Sequence, residues 1–254
     1  MPYRNTSRLP LILMKIIAIG ILVSMPVMVF MLYVHPKDTI PRSSGAAYDI
    51  HGIDISHHQG TICWNKVKKA TLHGKKITFV FAKCTEGVTH QDKYYNRNRQ
   101  GIKEAGLIAG AYHFFVPGRN PEKQAKNFIR HARLTSGDLP PVLDIEHKGH
   151  LSDRQLTEDL LVWLELVEHH FKCVPIIYSG HTFYHQHLND PRLKHYPFWK
   201  AHYRQNGTIP HDTWMFCQYT KHGHVAGIGD GQNSPVDLNV FHGSAEDLED
   251  ILIP

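Results

Sequence analysis

From His51 onward the chain alternates short apolar runs with amphipathic stretches. Strands are predicted at His51–Ser56, Ile77–Cys84, Ile108–Phe115, Val142–Glu146 and Pro175–Ser179. Helical patterns fall between them, near Trp64–Leu72, Tyr94–Ala105, Pro121–Leu134 and Leu151–Phe171, with a shorter one at His181–Asn189. The stretch Leu151–Phe171 opens on Ser152 with Gln155 three positions later, a pairing that satisfies free N–H groups at a helix start. It places Leu156, Leu160, Trp163, Leu164 and Val167 on one face. Strand–helix alternation of this kind predicts a parallel sheet covered by helices. After Asp190 the pattern changes: Phe198–Tyr203, Trp214–Thr220 and Val236–Phe241 read as strands without helices between them. A helix near Ala245–Leu252 ends the chain. The fold class expected is α/β, a modified TIM-like barrel of five β/α units followed by three strands. An open doubly wound sheet would carry a glycine-rich phosphate loop after its first strand, and none is present.

Ahead of this domain, residues 16–34 carry no charge. As a helix they would span about 28 Å, close to the hydrocarbon thickness of a bilayer. Arg4, Arg8 and Lys15 precede the run, so its start is expected in the cytoplasm and the chain after it outside. Segment 1–34 therefore reads as a cytoplasmic N-terminus and one transmembrane signal-anchor helix. A cleaved signal peptide is the competing reading, but its apolar region is usually about 7–15 residues with a small-residue site close behind. Segment 35–50, with Pro36 and Pro41, reads as a linker, and 51–254 as the globular domain.

The chain of 254 residues has a formal net charge of +5, but residues 1–46 hold five basic groups against the single acid Asp38. The remainder holds 23 basic against 22 acidic groups, so no basic body exists to bind nucleic acid. At 42% hydrophobic and 20% charged residues, disorder is excluded as well.

In a parallel barrel, functional groups gather at the C-terminal ends of strands. Acids recur there. Asp54 ends the first strand, Glu86 follows the second, and Asp144 and Glu146 end the fourth. Asp237 begins the last strand, so its placement at the same mouth does not follow from the pattern. Residues two apart in a strand share a face, so Asp144 and Glu146 should project into the barrel side by side. Carboxyls that close repel, and one retains its proton more tightly. A protonated acid beside an ionised one is the pairing that glycoside hydrolysis uses.

The blocks HGIDISHHQG (51–60), KCTEG (83–87), GAYHF (110–114), VLDIE (142–146), IYS (177–179), QYT (218–220) and VDLNVF (236–241) occur in order. Together they resemble glycoside hydrolase family 25, the Ch-type lysozymes, over about residues 50–243. The resemblance implies a barrel of five β/α units and three strands. It implies N-acetylmuramidase activity, cleaving the β-1,4 bond between N-acetylmuramic acid and N-acetylglucosamine in peptidoglycan. Carried over, Glu146 resembles the general acid/base, Asp144 the second carboxylate of the pair, and Asp54 and Asp237 the other two acids. Tyr112 and Tyr178 match groove-lining aromatics, and Glu86, Trp199 and Gln218 are further expected contacts. Asp144 is either a nucleophile or the group that orients an attacking acetamido oxygen. No cofactor or metal is implied. Peptidoglycan strands and, through the N-terminal helix, a membrane are the expected partners. The expected location is a bacterial envelope, inner-membrane-anchored with the catalytic domain outside the cytoplasm.

Two departures from the family stand out. Cys84 replaces a small Ala and Cys217 a frequent Trp, which predicts an altered groove floor. Cys63, Cys84, Cys173 and Cys217 form no CxxC, and the 21 histidines show no pair of the kind a barrel metallohydrolase places on its first strand. Two alternatives are a weak glycan-binding barrel and another glycosidase such as a chitinase. The first predicts loss of a paired acid. The second predicts DxxDxDxE, and here Asp138, Asp144 and Glu146 are wrongly spaced for it.

Overall fold

The computed structural model describes residues 45–203, 214–229 and 234–254. Among them the strands are β1 (Ile50–Ile55), β2 (Thr71–Leu72), β3 (Lys75–Glu86), β4 (His90–Gln91), β5 (Ile108–Phe114), β6 (Val142–Asp144), β7 (Ile176–Gly180), β8 (Phe198–Ala201), β9 (Phe216–Gly223) and β10 (Val236–Phe241). The helices are α1 (Trp64–Val67), α2 (Tyr95–Glu104), α3 (Pro121–Ala132), α4 (Asp153–Phe171), α5 (His181–His187) and α6 (Ala245–Asp250). Strands β1, β3, β5, β6, β7, β8, β9 and β10 form the barrel, closed because β1 pairs with both β3 and β10. Neighbours from β1 through β3 to β9 run parallel, and β10 alone runs against both of its neighbours. The expected eight strands and their order are present. The uncharged run at 16–34 lies outside the described residues. Among the described residues no helix is long and apolar enough to cross a membrane.

One helix is shorter than its pattern predicts. The chain is helical only from Trp64 to Val67, and Thr71 and Leu72 then pair with Lys76 and Lys75. His73 and Gly74 both take positive φ, 51° and 78°, as a two-residue hairpin turn requires. The turn therefore overrides the helical spacing of the residues before it.

Parallel strands covered on both faces are buried on both faces, which is why these strands read as apolar runs. Outward residues such as Ile53, Val80, Ala109, Leu143 and Ile177 pack beneath the helices. Inward residues fill the barrel with aromatics, where Phe81 stacks on Trp199 at 4.5 Å and contacts Phe79 and Phe216 edge-on. Two inward glycines make room for these rings. A Cβ on Gly52 would lie 2.3 Å from the Phe79 ring, and one on Gly110 would lie 2.4 Å from that of Phe81. Helix α4 begins with the expected Ser152–Gln155 capping box and buries Leu156, Leu160, Trp163, Leu164 and Val167.

Beneath α4, His113 on β5 is fully buried and stacked on Trp163. Its Nδ1 accepts from the Thr85 hydroxyl at 2.7 Å, and its Nε2 donates to Gln124 Oε1 at 3.2 Å. Burial pushes the imidazole down to about 3. Below the ordinary value of about 6.5 the unfolded chain takes up a proton that the folded chain refuses, so folding weakens as pH falls from about 6.5 toward 3. The cost is about 1.4 kcal/mol per pH unit in that window. His113→Gln is therefore expected to melt with a shallower pH slope than the parent between pH ~6.5 and ~4, measured by thermal denaturation. Equal slopes would remove His113 from this account.

Candidate active site

A cleft of about 320 Å³ opens where the barrel strands end. Asp54, Asp144, Glu146 and Asp237 all line it, together with Tyr112, Tyr178, Trp199 and Gln218. Tyr203 and Lys221 complete the lining, and neither stands out in the sequence.

The placement of each acid follows from the backbone. Asp54 lies near the end of β1, directly opposite Asp237 in the ladder. Because β10 runs antiparallel to β1, its first residues reach the mouth that the other strands reach with their last. That reversal brings in the acid which strand polarity left unplaced. Asp144 is the last residue of β6, whose strand geometry stops two residues short of the expected end at Glu146. Cross-strand bonding nevertheless continues: Ile145 N–H donates to the Tyr178 carbonyl at 3.0 Å, and Ser179 Oγ donates to the Ile145 carbonyl at 2.7 Å. Ile145 is buried against the helices, so the side chains before and after it both enter the cleft.

The two members of this pair differ in their access to water. Asp144 is 6% exposed and its Oδ1 has no hydrogen-bond partner. Burial, then the charges of Glu146 and Asp54, push its carboxyl well above the usual carboxylate range. Glu146 is exposed at the mouth.

Asp54 is held by amides. Gln218 Nε2 and Asn239 Nδ2 both donate to its Oδ2 at 2.7 Å. The Trp199 indole N–H donates to Asn239 Oδ1 at 2.9 Å, and the Tyr178 hydroxyl donates to Gln218 Oε1 at 2.8 Å. The Tyr203 hydroxyl bonds the same Gln218 oxygen. Burial first, and the Asp237 charge second, push Asp54 well up against the pull of the two amides. Asp237 is half-buried and also raised, chiefly by burial, while its hydrogen bond with Asp54 and the charges of Lys221 and His222 pull the other way. Burial and the neighbouring acids hold the Tyr112 and Tyr178 phenols neutral.

Several residues take other places than expected. Glu86 does not line the cleft; it is ion-paired to Lys83 at 2.6 Å, which holds its carboxyl low. Trp199 is 2% exposed, so it is a floor beneath the acids rather than an open sugar platform. Cys84 and Cys217 are fully buried on the outer, helix-facing side of the barrel and are not joined in a disulfide. Neither cysteine therefore lines the cleft, and the expected effect on its floor has no side chain to carry it. Among the described residues no cluster of His, Cys, Asp or Glu is arranged to hold a metal ion.

The family model for glycosyl hydrolases family 25 matches residues 53–228. The Escherichia coli K12 protein YegX is 42% identical over 205 residues, covering 80% of this chain and 74% of its own. Lysozyme M1 of Streptomyces globisporus is 34% identical over 215 residues, 78% of this chain and 70% of its own. The crystal structure of a bacterial lysozyme from Streptomyces coelicolor superimposes with a TM-score of 0.71 at 31% identity, covering 80% of this chain and 96% of that one.

Proposed function

The chain belongs to glycosyl hydrolases family 25 and is a peptidoglycan-hydrolysing lysozyme; from that premise we propose how its four acids divide the work. The observation that carries the assignment is the contrast within one pair: Asp144 is deprived of water, and Glu146 stands open at the mouth. A proton donor must come within about 3 Å of the glycosidic oxygen, and the exposed member is the one a glycan can reach. Glu146 is the general acid that protonates the leaving sugar and afterwards the base that activates water.

Asp144 works on the other side of the bond. Its enclosed Oδ1 lacks a donor, and an acetamido N–H of the substrate would supply one. That contact offsets the burial which disfavours its charge, and it aims the acetamido oxygen at the anomeric carbon. This supports the orienting role of Asp144 over direct attack. Asp237, backed by Asp54, adds negative potential on the β10 side of the cleft, where oxocarbenium-like positive charge develops. Tyr112 and Tyr178 are proposed to meet the sugar rings, and Gln218 to act through Asp54. The buried Trp199 and the ion-paired Glu86 fit roles away from the substrate.

We place the barrel outside the cytoplasm of a bacterial envelope. The uncharged run at 16–34, behind Arg4, Arg8 and Lys15, supports an inner-membrane anchor, with residues 35–44 as the link; the expected linker end at 45–50 belongs to the barrel, since Tyr48 packs on its core and Ile50 starts β1.

Reduction and mass analysis of digested peptidoglycan test the cleavage position. Muramic acid is expected at every new reducing end. Glucosamine there would mean that the other glycosidic bond is cut.

A further inference from the structure

The carboxyl pair Asp54–Asp237 has a polarity that the surrounding amides make readable. An indole N–H only donates, so the Asn239 atom facing Trp199 must be its oxygen. The Asn239 NH₂ then points at Asp54. Gln218 takes the same orientation, its Oε1 meeting the Tyr178 and Tyr203 hydroxyls and its NH₂ donating to Asp54. Asp54 and Asp237 stand opposite each other in the β1–β10 ladder with their carboxyls hydrogen-bonded, and because both N–H donors converge on Oδ2, Oδ1 is the atom assigned to that contact. Two carboxyl groups in hydrogen-bond contact share a proton, because two anions at that distance repel strongly.

The surroundings decide which member holds it. Asp54 is 6% exposed and its two donors are uncharged amides. The phenol of Tyr112 on β5 and the carboxyl of Asp144 on β6 face it from across the cleft and add no positive charge. Asp237 is half-buried and feels Lys221 and His222 from the β9 side, with Glu146 the opposing charge at the mouth. Negative charge is thus better hydrated and better matched on Asp237.

We propose that Asp54 is the uncharged member of the pair, with Oδ2 as its carbonyl oxygen and a hydrogen on Oδ1 donated to Asp237, so that Asp237 alone presents the pair's charge to the cleft. Asp54 is then a positioning residue that aims a neighbouring anion. The remote Trp199 sets this polarity by fixing the Asn239 amide.

Infrared spectroscopy of the full chain carrying ¹³C-carboxyl aspartate, at neutral pH and without substrate, tests this. In the difference spectrum of Asp54→Asn against the parent, loss of a protonated-carboxyl C=O band is expected. Asp237→Asn should remove ionised carboxylate bands instead. Gln218→Leu takes one donor from Oδ2, so the Asp54 C=O band should move to higher frequency. Loss of only ionised bands in Asp54→Asn would overturn the assignment, and an unmoved band in Gln218→Leu would overturn the choice of oxygen. Asp144→Asn serves as the reference for the other buried acid. No turnover is measured, so a failure here leaves the cleavage reading standing, and a failed cleavage assay leaves this result intact.

Discussion

Wall lysis by the Glu146→Gln variant is expected to fall by about 10³-fold, the middle of the range that one positioned general acid contributes. Glutamine keeps the shape and removes the transferable proton. Glu146 is exposed and makes no side-chain hydrogen bond or ion pair among the described residues, and its charge repels Asp144 and Asp237, so the melting temperature should hold or rise. The two measurements together are decisive: the clearing rate of purified cell walls, and a thermal melt of the same sample. A variant that melts normally and still clears walls at more than about a tenth of the parent rate would transfer the acid role to another group.

Asp144→Asn is expected to lose activity on a similar scale, about 10²–10³-fold, and to gain stability as it does so. The sign follows from burial. A carboxyl held well above its unfolded value favours folding fully only below that unfolded value, about 3.9, and the advantage is lost as pH rises through the raised folded value. Asparagine carries no such dependence. The stability of the variant relative to the parent should therefore increase between pH ~4 and ~7, by about 1.4 kcal/mol for each unit that the folded value is raised within that window. At roughly 2–4 °C per kcal/mol for a domain of this size, thermal melts will resolve it. A difference independent of pH would mean that Asp144 titrates in the folded protein as it does in the unfolded one.

The sequence made the parallel half of the barrel legible because both-face burial writes long apolar runs, and Ile77–Cys84 and Ile108–Phe115 are such runs. The Asp144–Glu146 pair was legible for a related reason: strand alternation is local. Two other features were not. Asp237 depends on the reversed direction of β10, which is a property of the closed sheet and leaves no mark in the strand itself. Tyr203 lies just past β8, and Lys221 lies near the end of β9, on strands whose facing partners are distant in sequence. The hairpin at His73-Gly74 is hidden in the sequence because the residues before it are spaced like a helix, whereas the turn is decided by two positive φ angles. Cys84 and Cys217 mislead when matched to a motif by position alone, because what counts is the face of the strand they occupy.

The reversed closing strand also sets a schedule. Asp54 near the start of the domain and Asn239 near its end are 185 positions apart, yet they touch. A ribosome therefore releases Asp144 and Glu146 well before the last stave that completes their surroundings, and contacts this distant in sequence form slowly. A chain halted before Val236 would carry the acid pair in an unsealed cask, without Asp237 and without the Asn239 grip on Asp54.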